Sequence, residues 1–408
     1  MRSPTPTPFS RRKPAARRTV GSAKRNVARY AAAAAACLSA PAFVSCGNIY
    51  YEDWAPSYRQ EAIRLGEVRH EADARSTGLA GAGRAAVYGA EAAVTNPAAL
   101  ASLRGPAASG GGGYRFWTYT VQPDDGGPAA QSFFGSFAGS YAAGAWPVAA
   151  ERFVVGGALW TPHDYTYEMG GGEAADGEIK SRGALRAVGP ALAVRAPWLS
   201  LGVAGDFLWG GQKITSNRAG VENVDVRGRG YDVRASATRS FDLAPRWRLS
   251  AAALGKRGAT VRFADGGDYD VRFPPSAGVA FSLKAYSVNV HVDYVYTFYE
   301  SMESSDAELA GLMAAVTRDV GWASLGGEYV TDGGAVVRAG FGYKPWYIRD
   351  ARYRGVDWFH YAMGGGWPVM DRHGRLDAAL TYGRRGALDL NGYFVDLIEF
   401  QAGLNYYW

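Results

Sequence analysis

Cysteine is nearly absent: Cys37 and Cys46 are the only two in 408 residues. That excludes a disulfide framework and a thiolate metal site. Histidine is scarce too. His70, His163, His291, His360 and His373 are scattered, with no pair four residues apart and no ligand cluster, so no metal is expected. Long apolar runs are missing: no stretch after Val44 reaches the ~18 residues of a membrane helix. A membrane position would therefore require a closed barrel, because backbone groups find no water to bond in lipid. Acidic residues are missing from residues 1–46, which hold nine of the 44 Lys and Arg; the remainder carries 35 basic residues against 38 acidic. The formal charge of +6 thus belongs to the start of the chain, and a nucleic-acid partner is not expected. No Gly-x-Ser-x-Gly occurs and no Ser/His/Asp set stands out, so the chain is not expected to be an enzyme or to need a cofactor.

Glycine and aromatics are what the chain has in quantity: 54 Gly, 12 Trp, 25 Tyr and 17 Phe, with only 20% charged residues. That is an unusual balance for a cytosolic enzyme. The first 46 residues have the layout of an export signal. A basic stretch ends at Arg29, and the apolar "YAAAAAACLSAPAFVSC" follows. Ala40-Pro41-Ala42 offers one cleavage site. Phe43-Val44-Ser45-Cys46 resembles a lipobox, in which Cys46 would be lipidated. The pair Arg11-Arg12 lacks the apolar residues a twin-arginine signal wants, which favours the general secretion route.

Downstream, a period of two dominates. In "YSVNVHVDYVYTFYE", Tyr286, Val288, Val290, Val292, Tyr294, Tyr296 and Phe298 share one face, and Asn289, His291 and Asp293 the other. The terminal "IEFQAGLNYYW" sets Ile398, Phe400, Ala402, Leu404, Tyr406 and Trp408 against Glu399, Gln401, Gly403, Asn405 and Tyr407. The spacing predicts strands over about 112–121, 131–147, 152–163, 180–195, 198–213, 226–241, 245–262, 270–284, 286–300, 311–330, 334–346, 356–369, 374–385 and 392–408. Turn clusters separate them at Asp265-Gly266-Gly267, Thr331 to Gly334, Asp371 to Gly374 and Arg384-Arg385-Gly386. Roughly fourteen strands, with aromatics at the ends of the apolar face, suit a transmembrane antiparallel β-barrel. In that fold the polar face turns inward. A soluble sandwich shows the same alternation with the opposite choice.

Before the strands lies an Ala-rich, helix-leaning segment, and Ser109-Gly110-Gly111-Gly112-Gly113 has the composition of a hinge into the first strand. The division expected is 1–46 signal, 47–110 N-terminal segment and 111–408 barrel. Gly78, Gly81 and Gly83 lack the Lys-Ser/Thr and the preceding strand of a phosphate loop, so tight backbone packing is the better account. Asn96-Pro97-Ala98 has the form of a helix start, Asn capping and Pro at the first position. The inward face would carry Asn289, His291 and Asp293 as wet lumen lining. Glu328 and Arg338 would pair there, directly or diagonally, to brace the lumen or the plug. Pro190 and Pro274-Pro275 interrupt strand text and mark either a wall break or strand ends.

The stretch "ARSTGLAGAGRAAVYGAEAAVTNPAALA", residues 75–101 preceded by Ala74, resembles the hatch of the FadL/TodX-like outer-membrane proteins. "LGGEYVTDGGAVVRAGFGY", "FHYAMGGGWPV", "RLDAALTYG" and "FQAGLNYYW" resemble that superfamily's closing hairpins, its PorV-like branch in particular. The resemblance implies an all-β barrel of about 14 strands, plugged by the N-terminal segment through Gly78, Gly81, Gly83, Asn96, Pro97 and Ala98. It implies a bacterial outer-membrane location and passive uptake of hydrophobic, fatty-acid-like molecules. A PorV-like role in protein secretion or surface assembly is the alternative, and a general porin the second. Implied partners are outer-membrane lipid, the barrel assembly machinery, and hydrophobic small molecules or secreted proteins. Phe400, Leu404, Tyr406 and Trp408 resemble the terminal signal which that machinery recognises. Pro190 would be the place where the wall opens.

Overall fold

The structure is a computed structural model. It describes residues 67–68, 73–121, 130–148, 152–169, 179–216, 223–264, 268–345, 347, 357–388 and 393–408. The export segment with Cys46, and the turn at 265–267, lie outside them.

Fourteen long strands form one closed antiparallel barrel. They are β1 (Ala107–Val121), β2 (Ala130–Val148), β3 (Phe153–Asp164), β4 (Ile179–Arg195), β5 (Ser200–Ser216), β6 (Val224–Ala244) and β7 (Trp247–Lys256). Then follow β8 (Ser276–Ala285), β9 (Val288–Thr297), β10 (Val320–Val330), β11 (Val336–Lys344), β12 (Trp358–Val369), β13 (Gly374–Leu388) and β14 (Tyr393–Tyr407). Each pairs with the next, and β14 closes on β1 from Phe394↔Thr120 to Tyr407↔Ala107. Closure removes the free edges that lipid would not tolerate. At one end the connections are tight turns. At the other they are long, as between β7 and β8, where Thr260–Ala264 and Tyr269–Arg272 form an extra hairpin.

The exterior settles which way the alternation points. Val288, Val290, Val292 and Tyr294 on β9 are 40–47% exposed, while His291 and Asp293 between them are 0% and 1%. Polar residues point in and apolar residues out, the arrangement lipid requires. The terminal strand obeys the same rule: Phe400, Leu404 and Trp408 are exposed, whereas Gln401 and Asn405 are buried. Rings gather at the tight-turn end, with Trp146 near Trp408 (6.2 Å between ring centroids) and Trp247 edge-on to Tyr286 (6.5 Å).

Several expectations need correction, among them the strands 245–262 and 270–284, which are broken at 257–259 and 273–275. Residues 311–319 were expected to begin a strand, yet Ala307–Val316 is a helix, capped by Asp306, whose carboxylate accepts from Leu309 N–H at 2.8 Å. Leu309 and Met313, one turn apart, are buried beneath it. The glycine run at 109–113 is no hinge. It lies inside β1, where a Cβ on Gly111 would stand 2.5 Å from the Ala402 carbonyl and 3.0 Å from the Tyr141 ring. Arg384-Arg385-Gly386 is no turn either, because β13 runs through it to Leu388. The Ala-rich segment forms only fragments of helix: α1 (Ala74–Gly78), α2 (Ala92–Thr95), and the 3₁₀ turns Arg84–Ala86 and Pro97–Ser102. Its small residues instead let the backbone lie against the wall.

Candidate functional site

Residues 73–103 are almost wholly buried within the barrel and form a plug. Its first half is held by charge. Asp73 caps α1, accepting from Ser76 N–H at 2.9 Å. Two residues after Asp73, Arg75 donates to both Glu328 oxygens, at 3.0 and 2.8 Å. Glu328 sits directly across from Arg338 in the β10–β11 ladder and also accepts from its Nε at 2.8 Å. Arg338 continues to Asp377 (2.7 Å), which is itself met by Arg375 (2.8 Å) and Asn405 (3.0 Å). His291 bridges Ser282 (2.7 Å) and Glu328 (3.0 Å), and Asn289 reaches Glu328 at 3.4 Å. Asp293 receives the Gly83 and Arg84 backbone N–H groups at 3.1 and 3.0 Å. The five inward residues named from the sequence thus converge on the plug.

Backbone shape holds the rest. Gly81 and Gly83 take φ of +87° and +101°, the left-handed region that favours glycine. Gly78 faces β12 and β13, where its Cβ would stand 3.3 Å from Gly364 Cα. Asn96 does precede a helical turn with Pro97 first, but its side chain does not cap it. Its amide donates to the Arg84 carbonyl (2.8 Å) and to Thr238 Oγ1 (3.0 Å), tying two plug segments to β6. Ala98 N–H donates to Ser236 Oγ at 2.8 Å. The triplet is a fastening point on the wall.

Between this fastening and the wall lies a cavity of about 70 Å³. Val94 and Pro97 of the plug, and Trp160, Leu254 and Val295 of the wall, give it apolar sides. Arg84, Arg234 and Lys256 give it cations. Arg234 pairs with Asp206 (2.7 Å) and Lys256 with Asp232 (3.2 Å), and Arg84 has the Asp293 carboxylate as a charged neighbour without an ion pair to it among the described residues. Arg84 lies over the Trp322 ring, and its Nη2 makes no hydrogen bond among the described residues.

The wall splits beside this cavity. The β2–β3 ladder ends at Ala142↔Leu159, so β2 from 130 to 141 has no partner on that side among the described residues. The next residue of β3 is Trp160, which lines the cavity. Thr161-Pro162 then forms a bulge against β4, where pairing shifts between Trp160↔Ala187 and His163↔Leu185. Glu67–Val68 add to the free edge of β3 at Asp164 and His163. Pro190 lies within β4, paired with Gly157 of β3. Toward β5 the ladder skips Gly189 and Pro190, resuming at Ala191↔Ala204. Pro274-Pro275 fall between strand pieces at the long-connection end. Pro162 stands at the bulge, and a lone proline inside otherwise strand-like text was its signal.

Elsewhere His163 packs on Phe273 (4.3 Å) with neither ring nitrogen hydrogen-bonded among the described residues, and His360 stacks on Trp358 (5.7 Å). No metal-binding group of side chains occurs among the described residues.

One plug residue titrates in a useful range. Glu91 is buried, and among the described residues no other residue hydrogen-bonds either carboxylate oxygen. Burial first, and the Asp73 carboxylate second, push its pKa up to about 7, while its own backbone N–H and then Arg375 and Arg75 pull it down. A folded value above the unfolded one stabilises docking fully below about 4.5, and that contribution is lost as pH rises through about 7. The stake is on the order of 3 kcal/mol. Amide exchange across residues 89–95, corrected for intrinsic rate, is expected to be slower at pH 5 than at pH 8. Glu91→Gln should flatten the difference. An unchanged difference in that variant would assign it elsewhere.

Solved structures share this architecture. A Pseudomonas aeruginosa FadL homologue aligns with TM-score 0.62 and 15% identity over 84% of this chain and 99% of its own. The Ralstonia pickettii toluene transporter TbuX aligns with TM-score 0.58 and 17% identity over 83% and 99%. The Pseudomonas putida toluene transporter TodX aligns with TM-score 0.57 and 16% identity over 83% and 98%. No family model matches the chain, and no curated protein does. At these identities the likeness establishes a FadL-like barrel fold.

Proposed function

We propose that this FadL-like barrel sits in a bacterial outer membrane and passes hydrophobic molecules inward without an energy source beyond their gradient. Cargo would enter at the long-connection end, rest against the plug, and leave sideways between β2 and β3. The observation that carries the reading is the split itself: Trp160 is at once the first β3 residue past the ladder and a wall of the cavity. Moving from water to an apolar wall and then to lipid is favourable throughout. The structural neighbours are described as a FadL homologue and toluene transporters, which supports the class of cargo. Arg84 beside Trp160 and Leu254 suits a carboxylate on an apolar body, hence a fatty-acid-like cargo.

The test is uptake by cells that express the chain and lack other such transporters. With Cys37 and Cys46 changed to Ser, Ser140→Cys and Thr161→Cys are bridged across the split by a cleavable bis-maleimide. Uptake of a long-chain fatty acid is expected to fall about tenfold and to return on cleavage; uptake indifferent to the bridge would sink the lateral route. Arg84→Gln should slow the fatty acid more than toluene. Equal rates for both would remove the carboxylate preference and leave uncharged hydrocarbons as cargo.

A further inference from the structure

The outside of the wall is not uniform at its long-connection end. On β9 and β11 the outward positions there are the exposed rings Tyr294 and Phe341, and on β13 Tyr382 is followed by Arg384, which meets Asp396 at 3.7 Å. That is the ordinary interfacial girdle. On β4 to β7 the pattern changes. Val188, Phe207 and Tyr231 are register neighbours and form the last apolar row. The next outward row is Arg186↔Trp209↔Arg229, continued by Arg262 on the hairpin beyond β7. Arg227 follows on β6, and Arg182↔Lys213 lie one row further out. Strand spacing puts Arg186 and Arg229 roughly 10 Å apart across Trp209, and Arg229 roughly 5 Å from Arg262.

Some of this charge is answered locally. Lys213 meets Asp225 at 3.8 Å, and Arg262 meets Asp268 at 2.7 Å. Arg186 and Arg229 have no ion pair among the described residues, and both are exposed. Two unanswered guanidiniums therefore flank an interfacial Trp directly above a lipid-facing row. A soluble acidic protein does not reach this level of the wall, since its neighbours Val188 and Phe207 are part of the apolar belt. The complementary occupant has anionic oxygens at the height of Arg186 and Arg229 and acyl chains below them.

We propose that this quarter of the wall is a binding site for phosphate-bearing glycolipid of the outer leaflet, held by Arg186 and Arg229 with Arg227 and Arg262 in support. Arginine meets phosphate oxygens in a fork, and each cation near a charged lipid surface contributes a comparable increment. The site rests on the membrane-spanning fold and is independent of what the lumen carries.

The experiment uses the full chain in phosphatidylcholine nanodiscs doped with a diphosphorylated diglucosamine lipid or with its dephosphorylated form. Native mass spectrometry counts the retained lipid. Wild type is expected to hold the diphosphorylated form about tenfold better. Arg186→Ser/Arg229→Ser should cut that retention roughly 30-fold. Arg239→Ser/Arg248→Ser, at the opposite rim, should leave it unchanged. No preference for the phosphorylated lipid, or an equal loss in the opposite-rim control, would overturn the site. Should the first double variant fail to fold, the wild-type preference decides alone: it must exist and must fade in high salt.

Discussion

Glu328→Ala is expected to release the plug while the barrel stays closed. Among the described residues Glu328 is the one carboxylate shared by Arg75 of the plug and Arg338 of the wall, and all three side chains are buried. Removing it leaves Arg75 with no ion-pair partner among the described residues, the Asp73 carboxylate acting only from further off, and His291 with no acceptor for Nε2 there, whereas Arg338 keeps Asp377. Breaking a buried pair from one side costs about 3–5 kcal/mol. The cost falls on docking, because β10 keeps its full ladders to β9 and β11. Ala74, beside the latch and buried, reports it: as Ala74→Cys in a background without Cys37 and Cys46, its maleimide labelling should speed up by roughly 10² to 10³. The double variant Arg75→Met/Glu328→Met should return most of the protection, since a packed apolar pair avoids the desolvation that a lone charge suffers. Labelling at the wild-type rate in Glu328→Ala would mean that hydrogen bonds and shape alone hold the plug.

How much of this was legible in the sequence follows from what period two can carry. It marks strands and puts Asn289, His291 and Asp293 on one face, but it leaves open which face turns inward; the export segment and the aromatic flanks of the apolar face made that choice. The period says nothing about which distant segment a polar residue meets. Arg75 and Glu328 are 253 positions apart, and no local pattern links them. Arg75 itself sat in the quoted hatch-like text, unremarkable among small residues. Helical propensity misled in the same region. Alanines at 85–101 favour helix in isolation, but here they serve close approach to the wall, with Ala85 packed on Ala252 and Ala280. The glycines of β1 misled for a related reason: flexibility in isolation becomes clearance for Tyr141 once β2 and β14 are in place. The helix at 307–316 was misassigned because its apolar residues merge with those of β10, and Asp306 was the overlooked cap.

The same clearance argument yields the second large effect. On Gly340 of β11, a Cβ would stand 2.3 Å from the Leu79 carbonyl carbon and 2.7 Å from Ala80 N. On Gly202 of β5 it would stand 2.2 Å from Ala98 N and 2.3 Å from the Pro97 carbonyl carbon. In both places the obstacle is plug backbone, which has no rotamer to yield. These two glycines are the seats of the plug's two halves, one beside the charge latch and one beside Asn96. Overpacking of this kind costs about 1–3 kcal/mol at each site. Gly340→Val should therefore expose the first half of the plug and Gly202→Val the second, each seen as faster amide exchange confined to its own half. Combined, they should leave a barrel with a displaced plug and a measurable single-channel conductance. Gly205→Val, at an outward position with open space around its Cβ, should do nothing. If Gly202→Val and Gly205→Val behave alike, the plug moves aside without cost, and its seat is no determinant of closure. If Gly202→Val alone speeds cargo uptake, the half of the plug nearest the β2–β3 split is the part that limits passage.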